Sequence, residues 1–371
     1  MKIPLTDLKA QHLALKDEID QAIKQTVEGT QFILGPEVKA LEKDIAAYLG
    51  VKYAIGVASG TDALLISMLS CGITSGDEVI TTPFTFVATS ETISRCGAVP
   101  VFVDIDSQTF NIDTAKIEKK ITKKTKAILP VHLYGQPANM DDILRLARKY
   151  NLKVIEDCAQ AFGAAYRGRK IGSFGDAGCL SFFPSKMLGA YGDGGMIVTN
   201  DEKITEKAEM LRNHGGKDKY FVLLHGFNSR LDSLQAAVLR VKLKYINKWI
   251  EQRQQKAKLY AKLLGGLAGI SVPGVAPHCD HVFNYYTIRA PGRDDLQKHL
   301  DSQGIGTAIY YPLPLHLQEV YRTLGYKAGD FPASERIAKD VLSLPMYPEI
   351  ENRQIEFVVE QIKQFYKHQA T

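Results

Sequence analysis

Short apolar runs alternate with helical patterns along the first two thirds of the chain, which is the arrangement of an α/β protein. The runs are continuous rather than strictly alternating, as expected for strands covered on both faces of a mostly parallel sheet. We therefore predict a large, mostly parallel sheet with helices on both faces. The predicted strands occupy residues 52–59, 77–83, 98–106, 126–135, 152–163, 177–184 and 194–200.

The pattern changes near residue 232, where an apolar stripe begins on a single long helix that continues to about residue 264. A helix of that length often bridges two domains. Shorter strand and helix patterns downstream predict a smaller α+β domain. We expect a large domain at 1–244, with an N-terminal arm at 1–14, joined through this helix to a small domain at 245–371. The stripe consists of Leu234, Val238, Val241, Tyr245 and Trp249.

The composition is that of an ordinary globular protein: 45% of the 371 residues are hydrophobic, 23% are charged, and the net charge is +5. The five cysteines form no C-x-x-C pair, and isolated cysteines are typical of reduced thiols in a cytosolic protein. The charged N-terminus does not resemble a signal peptide, and no apolar run is long enough to span a membrane. The lysine-rich stretch at 116–126 favours a solvated helix face over a nucleic-acid footprint. We therefore expect a cytoplasmic protein without a metal, a membrane partner or a nucleic-acid partner.

One lysine, Lys186, stands between an apolar run and a glycine-rich loop in the segment LSFFPSKMLGAYGDGGMIVTND at 180–201. Lysine usually lies on solvated faces, so this position needs an explanation. A lysine shielded from water has a lowered pKa and reacts with carbonyl groups as a free amine. Lys186 is therefore the candidate catalytic residue.

Ser59, Gly60 and Thr61 stand at the end of a predicted strand, directly before a helix. Glycine permits a close approach of the backbone, and a helix N-terminus offers free N–H groups and a positive potential. The pattern thus indicates a cradle for a phosphate group. The alternative is an ordinary helix start capped by Thr61 or Asp62, because Ser, Thr and Asp caps are common.

Two further side-chain types follow predicted strands. Asp157 ends the buried strand of the segment VIEDCAQ, at the edge where open α/β sheets gather their ligands. An N-cap or a structural ion pair is the alternative for this carboxylate. Phe84 and Phe86 follow another strand, where an aromatic ring can stack on a flat ligand, and plain core packing is the alternative.

Together these residue types match the chemical needs of pyridoxal phosphate. Its aldehyde needs an amine, for which Lys186 is the candidate, and its phosphate needs the helix start at 59–61. Its ring nitrogen needs a carboxylate such as Asp157, which keeps the nitrogen protonated so that the ring accepts electrons. Each feature alone is unspecific, and their order along the chain makes the combination specific.

Six segments closely resemble the DegT/DnrJ/EryC1/StrS family of pyridoxal-phosphate-dependent nucleotide-sugar aminotransferases. They are GVASGTDAL, PFTFVAT, PVHLYGQ, VIEDCAQAFGA, SFFPSKMLGAYGDGGMIVTND and GFNSRLDSLQAAVL, and the resemblance covers roughly residues 1–365. It implies the aspartate-aminotransferase (type I) fold. It also implies a covalent internal aldimine between the cofactor and Lys186, with Asp157 at the ring nitrogen and Gln160 beside the ring hydroxyl.

The same resemblance implies further contacts to the cofactor. Gly60, Thr61 and Ser181 would hold the phosphate, and Phe86 would stack on the ring. Asn228, from the N-x-R segment, would reach the phosphate of the neighbouring subunit. This last contact implies a homodimer whose active sites are shared between subunits.

The function implied by the resemblance is transfer of an amino group from an amino acid, with glutamate as the expected donor, to a keto-sugar linked to dTDP or UDP. Some family members have histidine at the position of Lys186 and resemble dehydratases, so the lysine favours amino transfer. Met187 and Phe183 replace the usual asparagine and tyrosine, and Phe183 removes a hydroxyl group near the sugar. The alternatives are a dehydratase, an enzyme resembling AHBA synthase that forms an aromatic amino acid, and a regulatory protein that binds the cofactor without catalysis.

The segment AIYYPLPLHLQ resembles the family's Y-P-x-P-L-H segment near the substrate, which makes Tyr310, Tyr311 and His316 substrate-binding candidates. A structural loop histidine is the alternative for His316. Lys217 and Lys219 precede the Asn228 segment and are candidates for pyrophosphate binding across the dimer. Simple solvated lysines are the alternative there.

Overall fold

The computed structural model describes residues 2–216 and 220–369. Its helices are α1 (Leu8–Gly29), α2 (Pro36–Leu49), α3 (Gly60–Ser70), α4 (Ala88–Arg95), α5 (Thr114–Ile117), α6 (Met140–Tyr150), α7 (Glu202–Arg212), α8 (Ser233–Leu243), α9 (Ile246–Leu264), α10 (Arg293–Ser302), α11 (Pro332–Asp340) and α12 (Asn352–Gln369). Its strands are β1 (Tyr53–Val57), β2 (Glu78–Thr81), β3 (Val99–Phe102), β4 (Thr125–Ile128), β5 (Lys153–Asp157), β6 (Ala165–Tyr166), β7 (Arg169–Lys170), β8 (Ala177–Ser181), β9 (Gly195–Thr199), β10 (Cys279–Asp280), β11 (Tyr286–Arg289) and β12 (Val341–Leu344).

The largest sheet within the described residues has the strand order β1-β9-β8-β5-β4-β2-β3. β9 runs antiparallel to both of its neighbours, β1 and β8. The remaining neighbours pair in parallel. The carboxyl ends of β1, β2, β5 and β8 therefore lie at one edge of the sheet, and this edge is where ligands are expected to bind.

Both faces of this sheet are covered, which explains the continuous apolar runs in the sequence. Adjacent residues of a strand point to opposite faces. Cys179 and Ile197 belong to a core shared with α3, whereas Leu180 and Met196 belong to a second core shared with α1, α2 and α8. Each strand must therefore be apolar on both sides.

The C-terminal part has its own core. β11 and β12 pair in antiparallel fashion, and Tyr260, Tyr286 and Leu300 pack there together with residues of α12. The N-terminal arm joins this core, because the N–H of Ile3 donates to the carbonyl of Gly304 (2.9 Å) and Ile3 is fully buried. The domain boundary at residue 244 stays a prediction.

The single helix predicted for about 232–264 is instead two helices, α8 and α9, separated by Lys244 and Tyr245. The N–H groups of these two residues donate to the carbonyls of Val241 (3.3 Å) and Lys242 (3.0 Å), three positions earlier. This spacing is that of a tight 3₁₀ turn, which ends the α-helix. The Tyr245 hydroxyl then donates to Glu18 of α1. The break contains no glycine or proline, so hydrophobic periodicity alone did not predict it.

The lysine-rich stretch at 116–126 is not one helix. A 3₁₀ turn at Glu118–Lys120 follows α5, and β4 begins soon afterwards. The six lysines of this stretch are nevertheless exposed. In the part of the chain that the structure describes, none of the helices has both the length and the apolar character needed to cross a bilayer.

Candidate active site

A cavity of about 530 Å³ opens at the carboxyl edge of the large sheet. The segments that follow β1, β2, β5 and β8 line it, and residues 285 and 309–311 contribute from the C-terminal part. The structure thus brings together most of the site residues predicted from the sequence. Those that line the cavity are Gly60, Thr61, Phe86, Asp157, Gln160, Ser181, Lys186, Tyr310 and Tyr311.

The start of α3 meets the end of β8 at one side of the cavity. Ser59, rather than Thr61 or Asp62, is the N-cap, and its hydroxyl accepts a hydrogen bond from the N–H of Asp62 (3.1 Å). A Cβ atom at Gly60 would lie 2.6 Å from the Cβ atom of Ser181, so this close approach requires glycine. The first turn of a helix leaves N–H groups without intrahelical partners, and here they lie beside a serine, as a phosphate site requires.

Asp157 is buried at the end of β5, with 4% of its surface exposed. Its Oδ2 atom accepts a hydrogen bond from the Thr89 hydroxyl (2.8 Å), and its Oδ1 atom accepts one from the N–H of Ala159 (3.1 Å). Burial raises the pKa of this carboxyl above its ordinary value, whereas the Thr89 hydrogen bond and the charge of Lys186 act in the opposite direction. A cationic atom placed beside Asp157 in the cavity would therefore stabilise its ionised form.

Lys186 follows β8 and lies half-buried in the same cavity. Its Nζ atom lies 5.9 Å from the centre of the Tyr285 ring. Burial lowers the pKa of Lys186 from its ordinary value to about 8, although the charge of Asp157 acts in the opposite direction. The neutral amine, which is the form that attacks carbonyl groups, is therefore far more abundant near neutral pH than in an exposed lysine.

This pKa gives a testable pH dependence. In protein freed of any bound carbonyl compound, we expect the rate of reductive methylation of Lys186 by formaldehyde and cyanoborohydride to rise with pH and to level off above about pH 8, because the reaction needs the neutral amine. The exposed Lys298 serves as the comparison, because its ion pair with Asp295 raises its pKa above the ordinary 10.5. Its methylation rate should therefore still be rising with pH at pH 10.5. Peptide mapping at each pH measures both lysines in the same sample. A Lys186 profile that follows that of Lys298 would show that burial does not activate this amine.

Aromatic rings line the same cavity as Asp157. Phe86 has 55% of its surface exposed and its ring centre lies 6.3 Å from that of Tyr311, whereas Phe84 is fully buried in the core. Core packing therefore explains Phe84 but not Phe86. Gln160 accepts a hydrogen bond from the N–H of Tyr134 (2.8 Å) and donates one to the Tyr311 hydroxyl (2.9 Å).

The substrate-binding candidates are placed differently from one another. Tyr310 and Tyr311 line the cavity. His316 does not line it: this residue is 2% exposed, and its Nε2 atom pairs with Glu335 at 3.0 Å. That is the arrangement of a structural histidine, so we leave His316 out of the proposed site. Lys217 and Lys219 lie outside the described residues.

Asn228 does not line the cavity of its own chain either. It is exposed, and its backbone forms an isolated bridge with Asn213. The next residue, Ser229, is buried and its hydroxyl donates to Asp62 Oδ2 in the first turn of α3 (2.7 Å). Asn228 is thus anchored next to the start of α3 while its surface remains open to solvent.

Two lining residues that sequence reasoning missed contact the predicted ones directly. Thr89 supports Asp157, and its hydroxyl also bonds that of Thr85 (3.1 Å), which lies four positions earlier and precedes α4. The sequence signal that could have revealed this pair is the spacing of four positions between two threonines at the start of a helix, which places their side chains close together. The ring of Tyr285 faces the Nζ atom of Lys186. The next residue, Tyr286, is 1% exposed in the C-terminal core. Strand alternation indicates that the first of these two tyrosines faces away from that core.

His132, Glu156 and Cys158 form a buried cluster whose potential ligand atoms lie within 4.8 Å of one another. Hydrogen bonds account for this cluster. His132 Nδ1 accepts from the N–H of Ala138 (3.0 Å), so Nε2 carries the proton and donates to Glu156 (3.1 Å). Glu156 also accepts from three backbone N–H groups at 2.8 Å. The backbone N–H of His132 donates to the backbone carbonyl of Asp157 (3.0 Å), so the cluster fixes the end of β5.

Comparison with known proteins identifies the family. The DegT/DnrJ/EryC1/StrS aminotransferase family matches residues 14–363. This chain belongs to that family. A relative from Geobacillus stearothermophilus, named a pleiotropic regulatory protein, is 52% identical over the whole of both chains (100% of each). A UDP-N-acetyl-3-dehydro-α-D-glucosamine 3-aminotransferase from Acidithiobacillus ferrooxidans is 46% identical over 95% of both chains.

A solved structure shows the same fold. The crystal structure of DesV from S. venezuelae, in complex with a ketimine intermediate, is 42% identical to this chain and superposes with a TM-score of 0.96 over 98% of each chain. The family, the α/β fold and the aminotransferase class predicted from the sequence are thereby confirmed.

Proposed function

We propose that this protein uses pyridoxal phosphate, bound covalently to Lys186, to transfer an amino group from glutamate to a keto-sugar linked to a nucleoside diphosphate. The observation that carries the proposal is that one cavity holds both the activated amine of Lys186 and the buried carboxylate of Asp157. Amino transfer needs both: an amine for the aldehyde of the cofactor and an acid for its ring nitrogen.

The lining of the cavity fits pyridoxal phosphate at each of its other groups. The helix start at Gly60 and Thr61 offers N–H donors to a phosphate, and Ser181 adds a hydroxyl. Phe86 presents an exposed ring for stacking, and Gln160 lines the same cavity as Asp157, where its side-chain amide would face the ring hydroxyl. When bound, this cofactor supplies an electron sink that stabilises negative charge on the carbon next to the amino group.

Three residues of the chain have separate roles in proton transfer. The free amine of Lys186 removes the proton from the Cα atom of the amino acid, because its neutral form is available near neutral pH. The charge of Asp157 favours the ammonium that results. Thr89 keeps Asp157 in place through its 2.8 Å hydrogen bond. With the keto-sugar, Lys186 moves the proton in the opposite direction.

The choice of a nucleotide-linked keto-sugar rests on the relatives. The Acidithiobacillus protein, which is 46% identical to this chain, is named for a UDP-linked 3-keto-sugar. Tyr310 and Tyr311 line the cavity without being assigned to the cofactor, and we propose that they contact the sugar. A UDP-linked 3-keto-sugar is therefore the first acceptor to test.

The test is a panel of UDP- and dTDP-linked 3-keto- and 4-keto-sugars, offered with glutamate to protein reconstituted with pyridoxal phosphate. We expect a new amine on one of these sugars, detected by mass spectrometry, and an equal amount of 2-oxoglutarate. Conversion of glutamate without an amine on any sugar would contradict the proposed acceptor. Release of an aromatic product, or loss of a sugar hydroxyl without amine formation, would favour the alternative reactions of the family.

A regulatory role is the second candidate, because the Geobacillus relative, which is 52% identical, is named a regulatory protein. That reading requires binding of the cofactor without turnover. The cavity keeps Lys186 and Asp157, which a binding protein would not need for chemistry. Absence of any glutamate conversion by the reconstituted protein would favour the regulatory role.

We also propose that the protein functions in the cytoplasm. Its five cysteines are free thiols, and three of them are only partly buried. Thiols of this kind persist where the compartment is reducing.

We propose that two chains form a homodimer in which Asn228 of each chain serves the other chain's phosphate site. Large apolar side chains are exposed near the cavity and the start of α8: Phe32 (42%), Ile33 (51%), Phe183 (50%) and Tyr191 (41%). Ile33 bridges Asp232, and the N–H of Tyr191 bonds Gln235, so two of them adjoin the same helix start. An exposed apolar patch of this kind is typical of an interface.

Mixed dimers test the shared site. Lys186→Ala and Asn228→Asp homodimers should each be strongly impaired, the second because an added carboxylate repels the phosphate. Co-expressed with different affinity tags, the two chains should form heterodimers with one intact site, and a random mixture should recover about a quarter of the wild-type activity. No recovery in purified heterodimers would show that Asn228 acts within its own chain. An unimpaired Asn228→Asp homodimer would show that Asn228 serves neither phosphate site.

A further inference from the structure

The segment between β8 and β9 folds back on itself and thereby holds Lys186. The N–H of Ala190 donates to the carbonyl of Phe182 (2.7 Å), which closes the turn around Lys186. A Cβ atom at Gly189 would lie 2.2 Å from the carbonyl oxygen of Pro184, so the two sides of the turn are in contact and only glycine fits. The position of Gly189 therefore determines the position of the turn.

A second lysine, Lys242 of α8, is bound to this turn. The residue is 1% exposed, and its Nζ atom donates to the carbonyl oxygen of Gly189 (2.7 Å) and lies 4.4 Å from the centre of the Tyr191 ring. Two helical turns earlier, Gln235 Oε1 accepts a hydrogen bond from the N–H of Tyr191 (2.8 Å). One face of α8 thus holds the segment that follows Lys186 at two successive points.

Space filling does not explain the ammonium group of Lys242. Burial disfavours a charged amine and lowers the pKa of Lys242 to about 8, although the charge of Glu349 acts in the opposite direction. The hydrogen-bond partner of Nζ is a neutral carbonyl group rather than a carboxylate. A methionine would fill similar space without this cost. What the ammonium adds is the hydrogen bond to Gly189.

We propose that Lys242 is a positioning residue for amino transfer: it binds the carbonyl of Gly189 and so fixes the turn that presents Lys186 to the cavity. The inference rests on the proposed function, in which Lys186 binds the cofactor and moves the proton. Lys242 is not among the residues that line the cavity in the described part of the chain. Its loss should therefore impair the chemical step more than the binding of glutamate.

The test compares Lys242→Met with Lys244→Met, both as holoenzymes. Lys244 follows α8 directly, and its side chain is 63% exposed in an ion pair with Glu18. We expect Lys242→Met to lower the maximal single-turnover rate with glutamate about 10-fold, with an apparent glutamate Kd within about 2-fold of wild type, because a small misplacement of a reacting group is costly. The visible circular dichroism of the bound cofactor should weaken, and borohydride trapping of cofactor on Lys186 should slow. Lys244→Met should match wild type throughout.

A purely structural role predicts a different result. If Lys242→Met melts at a lower temperature but keeps the wild-type turnover rate and circular dichroism, the inference is overturned. If that variant does not fold, Lys242→Gln replaces it, because the glutamine side chain is one atom shorter than that of lysine and does not reach the Gly189 carbonyl in the same position. Wild-type values for Lys242→Gln would overturn the inference equally. Failure of the wild-type protein to convert glutamate would overturn the proposed function together with it, whereas wild-type turnover with an unaffected Lys242→Met overturns the inference alone.

Discussion

Replacement of Lys186 by alanine is expected to lower the rate of glutamate conversion by at least about 10³-fold, the size of effect that loss of a nucleophile and acid–base group produces. Among the described residues that line the cavity, Lys186 supplies the only amine. No other side chain there can form the covalent bond to an aldehyde and also move the proton. Stopped-flow absorbance with glutamate measures the rate, and peptide mapping after borohydride reduction locates the covalent bond.

The matched control is Lys298→Ala, which removes an exposed lysine paired with Asp295 on the surface. It should leave both the rate and the site of borohydride fixation unchanged. Far-ultraviolet circular dichroism should show that both variants fold. Turnover that survives in Lys186→Ala, or cofactor fixed at another lysine in the wild-type protein, would remove Lys186 from the role assigned to it.

The part of the site that lies at strand ends was predictable from the sequence. Buried parallel strands have recognisable apolar runs, and their carboxyl ends must meet at one edge. Asp157 and Lys186 each follow such a run, so their separation of 29 positions in the chain did not obscure their proximity in the cavity. The helix start at Gly60 was predictable for the same reason, although the capping residue is Ser59.

The parts that depend on tertiary contacts were not predictable in the same way. His316 lies in a motif that resembles a substrate segment, yet it is buried against its partner Glu335, which is 19 positions away. Tyr285 reaches the cavity only because the C-terminal core accepts its neighbour Tyr286. The break between α8 and α9 involves Tyr245 and its contact with Glu18 of α1, which no local pattern encodes.

The second large effect is expected at Asp157. Asp157→Asn should lower the maximal rate of glutamate conversion by about 10²- to 10³-fold, because a neutral amide cannot hold a proton on the ring nitrogen as a carboxylate does. The cofactor should still bind, since the phosphate contacts proposed for Gly60 and the covalent bond proposed for Lys186 are separate from this group. Single-turnover kinetics with glutamate, together with an absorbance titration of pyridoxal phosphate, separates the rate from the affinity.

Thr89→Val is the matched variant, because it removes the 2.8 Å hydrogen bond to Asp157 and keeps the carboxylate. Burial already raises the pKa of Asp157, and loss of a hydrogen bond that favours the charged form must raise it further. A carboxyl group with a higher pKa becomes protonated earlier as the pH falls. The Thr89→Val enzyme should therefore be within about 10-fold of wild type at alkaline pH and lose activity progressively toward acidic pH. Equal losses in both variants at every pH would mean that the charge of Asp157 does not sustain the reaction without the Thr89 hydroxyl, and would contradict the pH-dependent role proposed for Thr89.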